Sequence, residues 1–262
     1  WLFITTPPFF YYTTFGGCVQ FILKKKSPFI KTFSDRAFDA IIKYIRFSGK
    51  DVSVMKNVMI RPATQADAQE MLALYAPYVL HTTVTSEYDP PSLEEFVGRI
   101  RTYTAKTPWL CCVADGQIVG YGYASPHRTR AAYQWSCETS IYTKMGFHRR
   151  GIATALYSAL FDLLAYQGYY SIYVGVTCPN PRSMAFHMSM GFERMGAYHN
   201  SMYKFGKWRD VIWMGKSLRH HEGEPKPTLR YPDVKDDAYC RQVLEQAAQL
   251  VHEPRVGKEY HA

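Results

Sequence analysis

The densest chemistry in the sequence lies in a loop between an apolar, aromatic-rich strand and a helix, His148-Arg149-Arg150-Gly151-Ile152-Ala153. Gly151 and Ala153 keep side chains out of the first helical turn. The free backbone N–H groups and the positive end of the helix dipole can then receive a pyrophosphate directly, and Arg149 and Arg150 add positive charge at the same place. No Gly-Lys-Ser/Thr closes the loop and it holds no G-x-G-x-x-G, so neither a Walker loop nor a dinucleotide fingerprint is present. By residue type alone, a plain helix start with two solvated arginines reads the same way. The preceding strand, Trp135-Ser136-Cys137-Glu138-Thr139-Ser140-Ile141-Tyr142, places Glu138 among mostly apolar or aromatic neighbours. A carboxylate there is costly unless it is paired or does chemistry, and a structural hydrogen-bond acceptor or a base would each meet that condition.

The elements that must hold these residues follow from periodicity. From Met59 the chain alternates strands and helices. Met59-Ile60-Arg61 is a short strand. Thr64, with Asp67 three residues on, caps a helix that aligns Ala68, Met71, Leu72, Tyr75 and Val79. Pro90-Pro91 breaks the chain, and Ser92 with Glu95 caps a second helix ahead of Phe96 and Ile100. Trp109–Ala114 and Gln117–Ser125 flank Asp115-Gly116, a hairpin signal. A long strand is expected over Ala132–Tyr142 and a helix over Arg149–Tyr166, with Ala153, Leu156, Leu160 and Leu163/Leu164 on one face. A strand at Tyr169–Thr177, a short helix at Ser183–Met190 and strands near Glu193–His199 and Trp208–Leu218 complete the alternation.

Composition divides the 262 residues into three parts. Residues 1–54 hold nine of the fifteen Phe and show no sustained period. They are expected to be a poorly ordered extension, with Phe38–Ile45 its best helix candidate. The segment has neither a basic leader ahead of an apolar stretch nor a small-residue cleavage site, so it does not read as a targeting peptide. Residues 55–219 form the main domain. Residues 220–262 comprise a polar linker, His220 to Pro232, and an amphipathic helix from about Asp233 to His252 that is expected to pack on the domain or on a neighbouring subunit.

Hydrophobic content of 47% and charged content of 20% are those of a globular chain, which excludes wholesale disorder. No apolar run reaches the roughly 18 residues of a spanning helix. The six cysteines include no C-x-x-C pair. A reducing, cytoplasmic setting without disulfides fits them best, and neither Cys nor His spacing predicts a metal site. The net charge of +9 is scattered, and basic residues are not interleaved with stacking aromatics along one element of the main domain, which argues against a nucleic-acid partner.

A second stretch lies at the right distance from the loop: Cys178-Pro179-Asn180, Ser183, Phe186-His187 and Gly191-Phe192. With it, the sequence resembles the GNAT superfamily of acetyl-CoA-dependent N-acetyltransferases, whose loop reads Q/R-x-x-G-x-G/A; His148 stands where that pattern has Gln or Arg. Over residues 58–219, Gly122-Tyr123-Ala124-Ser125-Pro126, Arg130-Ala131-Ala132-Tyr133, Trp135 to Tyr142 and Tyr203 to Val211 are similar to the phosphinothricin and methionine sulfoximine acetyltransferase group.

The resemblance implies an α/β (α+β) fold, a mixed and mostly antiparallel sheet with flanking helices and a V-shaped splay between the strands at Tyr142 and Thr177. It implies Glu138 as general base and His187, where many relatives carry tyrosine, as the acid for the departing thiolate. Acetyl-CoA would be held by Ile141, Tyr142, Thr143, Arg149, Arg150, Gly151, Ile152, Ala153, Thr154 and Asn180, with no metal. Asn180 could otherwise simply turn the chain. For an anionic amino-acid acceptor it points to Arg128, Arg130, Tyr133 and Lys204; Tyr123 and Trp208 read as pocket wall or core. Ser86 stands where relatives often place an aromatic residue. The implied activity is acetylation of a small L-amino acid or analogue by direct transfer, in a cytoplasmic homodimer. Acetylation of a peptide or protein amine, or a non-catalytic acetyl-CoA sensor, are the alternatives.

Overall fold

The computed structural model describes residues 57–253, Met55 and two short strands nearer the start of the chain. The chain divides into two compact units, Trp1–Val52 and Ser53–Ala262. In the first, β1 (Thr13–Phe15) and β2 (Cys18–Gln20) pair antiparallel. The helix expected at Phe38–Ile45 lies outside the described residues, as does most of the extension expected over 1–54.

The second unit is built on a seven-stranded sheet: β3 (Met59–Pro62), β4 (Trp109–Ala114), β5 (Gln117–Pro126), β6 (Ser136–Thr143), β7 (Ser171–Thr177), β8 (Glu193–Lys204) and β9 (Lys207–Ser217), in spatial order β3-β4-β5-β6-β7-β9-β8. Only β6 and β7 run parallel; every other neighbouring pair is antiparallel. This is the mixed, mostly antiparallel sheet that the sequence predicts. Asp115 and Gly116 take φ of 50° and 80°, the paired left-handed conformation that closes the expected tight hairpin between β4 and β5. The parallel pair is short, from Ser136 opposite Ser171 to Glu138 opposite Tyr173. Beyond it the strands separate, and the expected splay opens between the second halves of β6 and β7.

Helices α1 (Ala68–His81) and α2 (Leu93–Thr104) cover one face of the sheet through Met71, Val79, Phe96 and Ile100, which meet Trp109 and Tyr121. The opposite face carries α3 (Ile152–Gln167), whose Ala155, Leu156, Ala159, Leu160 and Leu163 are fully buried. Two strand glycines allow this close approach. A Cβ at Gly120 would stand 2.7 Å from Ile152 Cγ2, and one at Gly122 would stand 3.2 Å from Leu160 Cδ1. Helix α4 (Pro181–Ser189) follows β7.

Several boundaries differ from expectation for local reasons. The strand expected from Ala132 begins at Ser136, because Ala131–Tyr133 closes as a 3-10 turn with Tyr133 N–H on Arg130 O and Gln134 N–H on Ala131 O. The helix expected from Arg149 begins at Ile152, since Arg149 and Gly151 take φ of 61° and 74°. The single C-terminal helix is two, α5 (Tyr231–Val234) and α6 (Ala238–Ala248), parted where Asp237 caps the second. Helix α6 packs on α3 and β3 of its own domain through Cys240, Val243, Leu244 and Ala247. The linker before it is held down by Gln167 Nε2, which donates to Lys106 O and Leu229 O at 2.8 Å, and by Trp135 Nε1, which donates to Lys226 O at 2.7 Å.

Leu160 of α3 is fully buried and packs directly over Gly122 of the sheet. Leu160→Ala should lower the unfolding free energy by about 2–5 kcal/mol, measured by urea denaturation.

Candidate active site

The splay is a cavity of about 1180 Å³. Its walls are the open edges of β6 and β7, the loop before α3, the first turn of α3 and the exposed side of α4. Glu138, Ile141, Tyr142, Thr143, Arg149, Gly151, Ile152, Ala153, Thr154, Asn180 and His187 all line it. Arg150, Arg128, Arg130, Tyr133 and Lys204 do not.

The loop end of the cavity is built from backbone. Ala155 N–H is the first to close onto the helix, at Gly151 O, so the N–H groups of Ile152, Ala153 and Thr154 have no acceptor within it. Arg149 is exposed beside them and Arg182 stands across the cavity from α4. Tyr78 spends its single hydroxyl hydrogen on Thr143 O at 2.6 Å, so the 3.1 Å contact with His148 requires His148 Nε2–H to donate to the Tyr78 oxygen. Partial desolvation and the nearby Arg182 and Arg149 hold the His148 pKa below its ordinary value. His148 therefore meets the cavity as a neutral donor-bearing ring, in place of the family's Gln or Arg.

Arg150 is placed differently from expectation. Its side chain turns behind the loop, where it is 6% exposed, lies 4.9 Å over the Phe147 ring and reaches Glu253 Oε2 at 3.3 Å. The reason is the chain beyond α6. His252 N–H donates to Arg150 O at 2.9 Å, Glu253 Oε1 also accepts from Met55 N–H, and a Cβ on Gly151 would stand 2.1 Å from Leu250 O. Residues 250–253 thus brace the loop from outside. No local pattern marks this contact, because the segment reads only as the end of an amphipathic helix.

Glu138 sits at the last residue pair before β6 and β7 part. Its Oε1 lies 3.0 Å from His127 Nδ1, and its side chain is 31% exposed, toward the cavity that it lines. His127 was not singled out from the sequence. It stands just beyond the last residue of β5, where no strand periodicity marks it. His187 is 4% exposed. Its Nδ1 lies 2.7 Å from Ser183 O, which can only accept, so the ring carries its hydrogen there and Nε2 accepts from Tyr157 OH at 3.0 Å. Burial lowers the His187 pKa, against the opposing bond to Ser183, and burial raises that of Tyr157. Asn180 caps α4, its Oδ1 accepting from Ser183 N–H at 3.1 Å. It turns the chain and faces the cavity at once, with its amide Nδ2 left for a ligand.

The acceptor-side candidates divide. Lys204 is 1% exposed and its Nζ donates to Thr85 O at 2.9 Å; burial lowers its pKa. It braces the segment Val84–Glu87, which forms a cavity wall, instead of facing the cavity. Arg128 and Arg130 are exposed, and Tyr133 meets the His127 ring edge-on at 5.9 Å. Beside Val84–Glu87 the wall carries Arg99, held by Glu87 and Glu95 at 2.5 Å each. Its spacing four residues after Glu95 reads in the sequence as a solvated helical ion pair. Tyr123 is pocket wall, stacked 4.2 Å from Trp109, whereas Trp208 is 62% exposed and belongs to neither wall nor core. Among the described residues no group of three or more His, Cys, Asp or Glu could hold a metal ion.

A parallel strand pair that splays beside a helix-start anion cradle, with a carboxylate at the fork, defines an acyltransferase architecture. Residues 60–213 match the acetyltransferase (GNAT) domain, and the chain belongs to that family and is an acetyltransferase. It is 34% identical to phosphinothricin N-acetyltransferase of Streptomyces coelicolor over 62% of this chain and 96% of that protein. It is 26% identical to the L-methionine sulfoximine/L-methionine sulfone acetyltransferase of Pseudomonas aeruginosa, over 61% and 94%. The crystal structure of a phosphinothricin acetyltransferase from Sinorhizobium meliloti in complex with acetyl-CoA aligns with a TM-score of 0.63 at 31% identity, covering 68% of this chain and 98% of that one.

Two outcomes follow from the loop and the buried imidazole. Gly151→Ala forces a left-handed alanine against Leu250 O and should cost about 1–3 kcal/mol of stability in urea denaturation. Folding favours the neutral form of His187, so below its ordinary pKa of 6.5 the unfolded chain binds more protons. Unfolding free energy should therefore fall as the pH drops below that value. His187→Asn should flatten the slope, leaving the part due to His148.

Proposed function

We propose that this enzyme transfers the acetyl group of acetyl-CoA to the α-amine of a small L-amino acid or analogue, directly, with both substrates bound. The observation that carries this reading is that the anion cradle at the start of α3 and the Glu138 carboxylate line one continuous cavity.

The donor set fits a CoA thioester. The N–H groups of Ile152, Ala153 and Thr154, with Arg149 and Arg182 beside them, would hold its pyrophosphate. The open edge of β6 at Ile141–Thr143 and the amide of Asn180 would hold the pantetheine arm, and a main-chain N–H of that edge would receive the thioester carbonyl. The thioester supplies an acyl group activated for attack by an amine. Glu138 takes the proton of the acceptor ammonium, directly or through a water. His187 serves the thiolate side: when its ring is doubly protonated, Nε2–H donates to Tyr157, whose own hydroxyl hydrogen is then free for the sulfur. Burial disfavours that charged ring, which makes it a ready donor.

An acceptor that carries a carboxylate or second anionic group would meet guanidinium groups on this side. Arg99 lies on the wall, while Arg128 and Arg130 stand on the turn beside His127. A homodimer is supported by the edge strand β8 and its hairpin, which expose Met195, Tyr198, Tyr203, Phe205 and Trp208 together. The buried free thiols of Cys111, Cys112, Cys137 and Cys240 fit a reducing cytoplasm. No helix among the described residues is long and apolar enough to cross a membrane.

The test is release of CoA thiol from acetyl-CoA with phosphinothricin, methionine sulfoximine, methionine sulfone and ordinary amino acids. Turnover is expected on at least one, and Glu138→Gln should lower kcat by about 100-fold or more while acetyl-CoA still binds. Silence across the panel with intact acetyl-CoA binding would refute the small-acceptor reading and favour a peptide amine or a sensor.

A further inference from the structure

Glu138 is not a lone carboxylate. The antiparallel register of β5 and β6 sets Ser125 opposite Glu138 and Pro126 opposite Cys137, so His127 leaves the end of β5 beside the carboxylate. The ring is held there from three sides. It lies tilted 4.5 Å from Tyr173 of β7, edge-on 5.9 Å from Tyr133 of the 3-10 turn and edge-on 5.9 Å from Trp213 of β9. Its side chain is only 14% exposed, and Nδ1 meets Glu138 Oε1 at 3.0 Å. An ionised carboxylate only accepts, so Nδ1 carries the hydrogen of this bond.

We propose that His127 is a positioning residue for the base: its Nδ1–H fixes Oε1 of Glu138, so that Oε2 is the oxygen presented to the acceptor ammonium. The inference rests on Glu138 being the general base. A carboxylate on a two-methylene stem would otherwise swing, and misplacement of a reacting atom by about 1 Å can cost about 100-fold in rate. A ring caged by aromatic neighbours loses little freedom in making that bond, which is how a supporting group makes a catalytic one precise.

The test compares His127→Phe, His127→Asn, His127→Gln and Glu138→Gln in the full chain, with kcat and KM on the best acceptor. Imidazole ¹⁵N NMR follows His127 in wild type and Glu138→Gln. Phe keeps the ring among its aromatic neighbours and removes the donor. It should lower kcat by about 10- to 100-fold with the KM for acetyl-CoA unchanged. Asn places an amide N–H near the position of Nδ1 and should recover most of the rate; Gln, one methylene longer, should not. The Nδ1 resonance should move in Glu138→Gln. Should Phe not yield folded protein, the Asn and Gln pair carries the comparison. Full activity in the His127 variants, with Glu138→Gln inactive, would overturn the role of His127 alone. Full activity in Glu138→Gln would instead remove the general-base reading beneath it.

Discussion

The early end of the parallel pairing between β6 and β7 is the constraint on which the rest of this structure depends. Three residue pairs hold the strands together, from Ser136 and Ser171 to Glu138 and Tyr173. Past that point each strand stays paired on its outer side, β6 with β5 and β7 with β9, while the inner edges face each other across a gap. Backbone N–H and C=O groups on those edges need partners. Burying them against one another is excluded by the divergence, so they face a cavity. A ligand with an extended amide-bearing arm, or water, satisfies them. The fold therefore prepares an extended binding groove before any side chain is considered.

Side chains convert that groove into a site by filling what the ligand must not. Tyr75, Tyr78, Tyr121 and Tyr142 pack with centroid separations of 4.8 to 5.4 Å around Tyr142 and close one wall. On the other side, Tyr157, Phe186 and Phe192 surround the imidazole of His187, and Phe161 packs behind Tyr157 and Phe192. Several polar side chains around these walls are committed to a partner, as Tyr78 is to Thr143 O and Lys204 to Thr85 O, whereas Glu87 Oε2 and Trp213 Nε1 are buried without one. Each such bond stabilises by about 1 kcal/mol, and a buried donor left unmade costs more. Committed partners leave few alternative rotamers, which holds the cavity open in one shape.

Much of this architecture was legible in the sequence because it rests on short-range patterns. The Asp115-Gly116 hairpin, the buried face of α3 and the Gly151–Ala153 helix start are each encoded within a few residues, and the structure realises all three. What was not legible depends on long-range contact. The partnership of His127 with Glu138 spans a turn between strands. The brace on Arg150 comes from a residue 103 positions away. Arg99 looks like half of a solvated helical pair until Val84–Glu87 folds over it. The left-handed Arg149 shortened the predicted helix because a bulky residue at positive φ is an exception that propensity does not foresee.

Charge then gives the cavity a direction. Arg149, Arg182 and the unpaired N–H groups of α3 lie along the walls at its loop end, while Glu138 stands at the fork of the strands. In a site partly screened from water, such fixed charges act more strongly than on an open surface. Such a field favours an anionic group at the loop and a cationic group beside the carboxylate. Tying Arg150 to Glu253 behind the loop sharpens this arrangement. It removes one flexible cation from the cavity mouth and gives the loop rigidity, leaving Arg149 and Arg182 together with backbone dipoles that have no rotamers to lose. Loop rigidity and charge separation thus arise from the same contact, made by a C-terminal segment that lies outside the matched acetyltransferase domain.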